Sequence, residues 1–120
     1  IEREAVTDRD RPLVASVIEN RLKKKMRLEI DATVQYALGK HVNRVMFRHL
    51  KVDSPYNTYR KRGLPPGPIS NPGRKAIIAA ANPASTPYYF YVLGSDRRNH
   101  VFTSTYADHL TAIRKYRPKP

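Results

Sequence analysis

The stretch from Ser54 to Gly73 limits what this chain can fold into more than any other. Its twenty residues hold five of the ten prolines (Pro55, Pro65, Pro66, Pro68, Pro72) and three of the five glycines. Proline fixes φ and removes a donor, and glycine opens backbone regions closed to other residues. Neither a long helix nor a central strand can run through such a segment. Tyr56, Tyr59, Leu64 and Ile69 nevertheless give it side chains worth burying, unlike a flexible linker. The pattern predicts a long ordered loop of the kind that lines a binding cleft, and equally fits a rigid connector between two packed halves.

The chain has 120 residues, enough for one domain with a real core, and 40% of them are hydrophobic. No apolar run approaches the roughly 20 residues needed to cross a bilayer. The sequence opens on Ile1 with no signal peptide, so the expectation is a single domain over residues 1–120. On this reading it is truncated on its N-terminal side, with any export or anchoring segment upstream. Zero cysteines exclude disulfides, thiolate metal sites and cysteine nucleophiles. The formal charge of +13 favours anionic partners. It is spread over Arg21–Arg27, Arg60–Arg62, Arg74–Lys75, Arg97–Arg98 and Arg114–Lys119, which reads as a solvated basic surface before it reads as a nucleic-acid site.

In chain order, Ile1 to Val6 reads as the end of a helix. There Glu2 and Glu4, two apart, point to different faces. A helix is expected from Asp10-Arg11-Pro12, with Asp10 as cap and Pro12 in the first turn, to about Lys24. Its Leu13, Val14, Val17, Ile18 and Leu22 face the core. Asn20 and Arg21 late in it read as a surface polar pair. Asp31 is expected to cap a short helix, Ala32 to Leu38, closed by Gly39. Val42 to Lys51 fits another short helix. His41 and His49 lack metal-ligand spacing and read as surface histidines. Asn71-Pro72 is expected to start a small-residue helix from Gly73 to Ala81, stopped by Pro83. Tyr88 to Leu93 and His100 to Thr103 form a hairpin across Gly94-Ser95-Asp96. Thr103 or Ser104 then caps a last helix with Tyr106, Leu110 and Ile113 inward, and the tail Arg117–Pro120 reads as loose. The order predicts an α+β fold of several short helices packed with a small antiparallel hairpin sheet.

These segments carry an ordered set of motifs. They are Ile1-Glu2-Arg3-Glu4, Ala15 to Leu22 (Ala-Ser-Val-Ile-Glu-Asn-Arg-Leu), Asp31 to Tyr36 (Asp-Ala-Thr-Val-Gln-Tyr) and Pro55-Tyr56-Asn57-Thr58-Tyr59. Gly63 to Ile69 with Asn71-Pro72-Gly73, then Asn82-Pro83-Ala84 and His100-Val101-Phe102, complete it. With these in place the chain resembles the YceG-like family of endolytic murein transglycosylases over nearly its whole length. Ala32 stands where the family usually has proline, and Glu29 and Ile30 replace a usual glutamine and small residue. The resemblance implies a bacterial enzyme anchored in the cytoplasmic membrane, its catalytic domain outside the cytoplasm. It also implies peptidoglycan glycan strands as the substrate, the cell-wall synthesis machinery as a partner, and a non-hydrolytic cut that leaves 1,6-anhydro-muramic ends. The family's catalytic glutamate matches Glu2.

Ordinary glycosidases need two carboxylates, whereas a lytic transglycosylase works with one because the sugar's own 6-hydroxyl is the nucleophile. The one acid protonates the departing glycosidic oxygen and then takes the hydroxyl's proton. That role asks for apolar surroundings, for which Ile1, Tyr56 and Tyr59 are the candidates. Glu4 is the competing acid and otherwise a substrate contact, and both glutamates read as plain exposed acids without the resemblance. Asn20, Asn57 and Thr58 are candidates to hold the N-acetyl and peptide groups, and Tyr56 and Tyr59 to stack on sugar rings. Asp31 serves as cap or substrate contact, the cap being favoured. His100 either reaches the cleft or makes a structural hydrogen bond. No metal or organic cofactor is indicated. The rival classes are a non-catalytic basic module for nucleic acid or another anionic polymer, and a wall-binding scaffold without activity. No helix-turn-helix, zinc-finger, RRM or KH signature supports specific nucleic-acid binding.

Overall fold

A computed structural model of the protein describes residues 1–40 and 42–116. The readings of His41 and of the tail Arg117–Pro120 lie outside the described residues. The fold is α+β: four α-helices, one 3-10 helix and a two-stranded antiparallel sheet among the described residues. The chain divides into two compact units, residues 1–20 with 72–120 and residues 21–71. Among the described residues no helix is long and apolar enough to cross a membrane.

In the first unit, helix α1 (Asp10–Lys23) begins one turn after Thr7, whose hydroxyl accepts the Asp10 N–H at 3.2 Å. Thr7 therefore does the capping work expected of Asp10, whose own side chain turns inward and is fully buried. Val14, Ala15, Ser16 and Val17 form the buried stripe, with Leu13 and Ile18 half-buried beside it. Residues 1–6 are not the end of a regular helix. They form one turn, in which the Ile1 carbonyl accepts the N–H groups of Glu4 (3.1 Å) and Ala5 (3.0 Å).

Helix α3 (Arg74–Ala81) starts two residues later than the Asn-Pro pair predicts. Gly73 occupies the cap in extended backbone, and its carbonyl accepts the Ile77 N–H at 3.2 Å. Ala76 and Ala79 are buried, which small side chains allow at close approach, while Ile77 and Ile78 stay half exposed. Strands β1 (Phe90–Leu93) and β2 (His100–Thr103) pair antiparallel, Phe90 opposite Thr103 and Leu93 opposite His100. β1 is shorter than predicted: Tyr88 falls outside it, although the Tyr89 N–H still reaches the Thr103 carbonyl at 3.0 Å. In the turn, Asp96 Oδ1 accepts the N–H groups of Arg98 (2.9 Å) and Asn99 (2.8 Å).

Helix α4 (Tyr106–Tyr116) packs on both strands. Its cap is Thr105, one or two residues past the expected one, with the hydroxyl accepting the Asp108 N–H at 3.1 Å. Ala112 is buried and Leu110 and Ile113 are half-buried. Tyr106 is 62% exposed, so it is not the inward anchor predicted, though its ring lies 5.9 Å from that of Phe90.

The second unit starts as α1 closes: Met26 N–H bonds the Arg21 carbonyl at 2.9 Å, and Lys25 takes the left-handed conformation (φ 58°) that glycine usually supplies. Helix α2 (Asp31–Leu38) ends as expected at Gly39, φ +70°. Its N-cap is Ile30, one residue before the cap predicted at Asp31. The Thr33 hydroxyl donates to the Ile30 carbonyl at 2.6 Å, and Asp31 sits in the first turn. The helix sought over Val42 to Lys51 shrinks to a 3-10 helix, Phe47–Lys51. His49 is half-buried and structural there, its Nδ1 accepting the Met46 N–H at 2.7 Å.

From Ser54 to Asn71 this unit has neither helix nor strand, and two buried polar residues hold the chain in place. The Asn57 amide donates to the carbonyls of Leu50 (2.9 Å) and Val52 (2.8 Å), and its oxygen accepts the Tyr59 N–H (3.0 Å). Thr58 Oγ1 accepts the Ile30 N–H at 2.8 Å and pairs with Thr33 Oγ1 at 2.8 Å. Side-chain groups thus do for a proline-rich segment what ladders do for a strand: they satisfy buried backbone that would otherwise be orphaned.

Candidate active site

Glu2 lies on the turn that opens the first unit, and its side chain is exposed. Its Oε1 accepts the Gly73 N–H at 2.5 Å, at the point where α3 begins. The first N–H groups of a helix have no intrahelical partner, so a carboxylate there satisfies one of them. Only glycine fits this contact at full closeness, since a Cβ on residue 73 would stand 3.2 Å from Oε1. Oε2 makes no hydrogen bond among the described residues. Glu4 is half-buried, in keeping with the different faces expected of the two acids.

The turn is pinned at further points. Asp8 Oδ1 lies 2.6 Å from Arg11 Nη1 and 3.2 Å from Lys75 Nζ on α3. The lysine's hydrogen bond and charge, with help from Arg11, hold the Asp8 carboxyl below its ordinary value. The Thr7 hydroxyl donates to Asn99 Oδ1 at 2.8 Å, tying the same segment to the hairpin turn.

His100 is part of this framework. Asp10 Oδ2 accepts its backbone N–H at 2.6 Å and lies 2.9 Å from its ring Nδ1. Arg9 adds a pair to Asp10 Oδ1 at 3.0 Å and donates to the His100 carbonyl at 2.7 Å. Both Asp10 and His100 are buried, so of the two roles open to His100 the structural hydrogen bond is the one present. Asn20 also binds the framework, its amide donating to the carbonyls of Thr86 (2.9 Å) and Tyr88 (2.8 Å). Asn20 and Arg21 are therefore not a surface pair: Arg21 is buried and donates to the Arg27 carbonyl at 2.8 Å.

The other expected substrate contacts belong to the second unit. Asn57 and Thr58 are buried, 0% and 2% exposed, and spend their polar groups on the loop itself. Tyr56 and Tyr59 are half-buried. The Tyr59 hydroxyl donates to Asp31 Oδ1 at 2.5 Å, so Asp31 anchors a tyrosine where a cap was expected. The Tyr56 ring lies 4.7 Å from that of Tyr36, tilted by 49°, and Tyr36 is 47% exposed. This aromatic pair offers an apolar face with water at its rim, the surface a sugar ring stacks on.

The model of the YceG-like family matches residues 1–115. The chain belongs to the YceG-like family. Over 116 residues it is 50% identical to the endolytic murein transglycosylase of Bacillus subtilis, covering 97% of this chain and 32% of that protein. It is 30% identical over 114 residues to the endolytic murein transglycosylase of Streptococcus pneumoniae D39, covering 91% of this chain and 21% of that one. The crystal structure of a yceG-like protein from Listeria monocytogenes has the same fold, with a TM-score of 0.87 at 44% identity over 92% of this chain and 36% of that chain. The chain thus spans between about a fifth and about a third of the length of these relatives.

Three residues of this YceG-like chain, two in the first unit and one in the second, gain contacts that sequence reasoning did not assign. Gly73 reads as a helix opener, and only the fold brings Glu2 to its N–H. Asp10 reads as a cap, and only the hairpin brings His100 to it. Tyr36 meets Tyr56 only through the fold, and its place at the end of the Asp31–Tyr36 motif was the one signal available.

Proposed function

We propose that this YceG-like domain cuts murein glycan strands internally by lytic transglycosylation, with Glu2 as the acid and then the base. The observation that supports it best is Glu2 itself: the family-motif acid is exposed, fixed through one oxygen and open at the other. In this reading protonated Glu2 donates through Oε2 to the glycosidic oxygen as the bond to the muramic C1 breaks. The 6-hydroxyl oxygen of the same sugar attacks C1, and the carboxylate accepts its proton. The acid is regenerated, no water is added, and the product is a 1,6-anhydro end. The apolar surroundings expected around the acid are absent from the exposed side chain, so the bound glycan supplies them by covering it.

Within the second unit, the Tyr36–Tyr56 pair is a candidate surface for a sugar ring. The same reading puts the domain outside the cytoplasm of a bacterium, tethered to the cytoplasmic membrane and working beside the cell-wall synthesis machinery. Mass spectrometry of sacculi digested by the full-length protein tests it. Anhydro-muropeptides are expected with wild type and none with Glu2→Gln, a loss of at least about 10²–10⁴-fold. Products heavier by one water sink the mechanism, and unchanged sacculi favour the scaffold. An active Glu2→Gln beside an inactive, folded Glu4→Gln moves the acid to Glu4.

A further inference from the structure

A groove of about 340 Å³ lies within the first unit, lined by Asp8, Arg11 and Pro12 from one side and Lys75, Ile78 and Ala79 of α3 from the other. That volume is at the small end for sites that hold organic ligands. Pro12, Ile78 and Ala79 make its apolar surface. Arg11 and Lys75 flank it with two positive charges against the single carboxylate of Asp8, which already shares one oxygen between them. Asp8 is the one acidic residue lining the groove, so two cations against it leave the groove with a net positive charge.

We propose that this groove is the subsite for the acidic peptide stem that a murein strand carries beside the bond to be cut. The inference rests on the transglycosylase reading of Glu2 and adds the part of the substrate that reading leaves unplaced. Two features support it. The first is continuity: Gly73 holds Glu2, and Ile78 follows five residues on, which at 1.5 Å per residue is about 7.5 Å along the α3 axis. The peptide is borne by the muramic sugar whose C1 reacts, so a peptide site must begin within about one sugar's length of the acid. The second is chemistry: a stem combines small methyl side chains with carboxylates, matching an alanine- and isoleucine-lined groove edged by Arg11 and Lys75. Arg11 is held by Asp8 and largely buried, which leaves Lys75, 69% exposed, as the cation that swings to meet the ligand.

Two measurements on the full-length protein test the subsite. In the first, cleavage of peptide-bearing strands is compared with cleavage of strands stripped of peptide by an amidase. Ile78→Glu puts a negative charge on the groove without touching Glu2 or Gly73. It is expected to raise KM for peptide-bearing strands about tenfold through like-charge repulsion and to leave stripped strands unchanged. Lys75→Gln shifts KM in the same direction by less. An equal loss on both substrates, or none on either, overturns the proposal. The second measurement is independent of turnover: a soluble murein stem peptide is titrated into the Glu2→Gln protein and followed through the amide signals of Ile78 and Ala79. Saturable shifts are expected, lost when the peptide's carboxylates are amidated. If they occur while wild type releases no anhydro product, the cleavage reading falls and the groove stands. If no shifts occur, the groove proposal falls whatever the turnover.

Discussion

Asp10→Ala tests the buried framework behind the site. Asp10 is fully buried and accepts from the His100 backbone N–H at 2.6 Å and the ring Nδ1 at 2.9 Å, besides pairing with Arg9 at 3.0 Å. Deleting the carboxylate leaves two donors of a residue that is itself only 8% exposed without partners. Each orphaned buried group costs about 1–3 kcal/mol and two are left, so about 3–5 kcal/mol is expected for the variant. At about 4 °C per kcal/mol for a domain of this size, that lowers Tm by roughly 12–20 °C. Urea unfolding followed by circular dichroism gives the free energy directly. Asp10→Asn keeps an oxygen for the backbone N–H and should cost about half as much. In a cycle with His100→Ala, the double variant should cost clearly less than the sum of the singles. A loss below about 1 kcal/mol for Asp10→Ala would refute the argument, since it would mean that water or a rearranged Arg9 satisfies His100.

Gly73→Ala keeps the N–H but sets a Cβ 3.2 Å from Glu2 Oε1, and the exposed glutamate gives way. On the proposed transglycosylase reading, kcat on murein is expected to fall about tenfold with KM and Tm nearly unchanged, since misplacing a catalytic group by 1 Å costs up to about 10²-fold; an unaltered kcat means that this bond does not position the proposed acid. Gly94→Ala meets the Asn99 backbone carbonyl at 2.8 Å, which cannot swing aside, so it should cost about 1–3 kcal/mol in denaturant unfolding, whereas an unchanged midpoint would show the turn to be pliable. Asp96 is held below its ordinary 3.8 chiefly by the Arg98 and Asn99 N–H groups, and Asp8 likewise by Lys75. The unfolded chain therefore binds protons first, so their stabilisation is present above about pH 4 and lost as pH falls through the lower folded values. Asp96→Ala should flatten that part of a Tm-versus-pH curve, and an unchanged slope would remove the turn from the account.

The legible parts of the fold were those decided locally. Gly39 closing α2, the β2 strand and the inward stripe of α1 all follow from backbone preference and hydrophobic period, and they stand where the sequence put them. The caps were misplaced by one to three residues at Asp10, Asp31, Asn71 and Ser104. Several residues near each helix start can accept an N–H, and packing chooses among them. Asp10 was drawn inward by His100, and Gly73 won over Asn71 because Glu2 occupies its N–H. The polar loop residues were read as ligand contacts, but burial turned Asn57 and Thr58 into anchors. A proline-rich segment lacks ladder partners, so its own amides and hydroxyls must supply them.

By itself, then, the sequence determined the α+β class and the membership of a motif-defined family, and it singled out Glu2 as the acid to test. Each of these depends on residue type and order along the chain, which short-range physics reads directly. The tertiary structure alone decided which oxygen of Glu2 is held, that His100 belongs to a buried pair with Asp10, and that Lys75 and Arg11 share Asp8 at the edge of an apolar groove. Those are meetings of residues far apart in sequence: 71 positions separate Glu2 from Gly73 and 90 separate Asp10 from His100. A hydrogen bond across such a gap depends on chain folding to within a few tenths of an ångström, and no local preference carries that information.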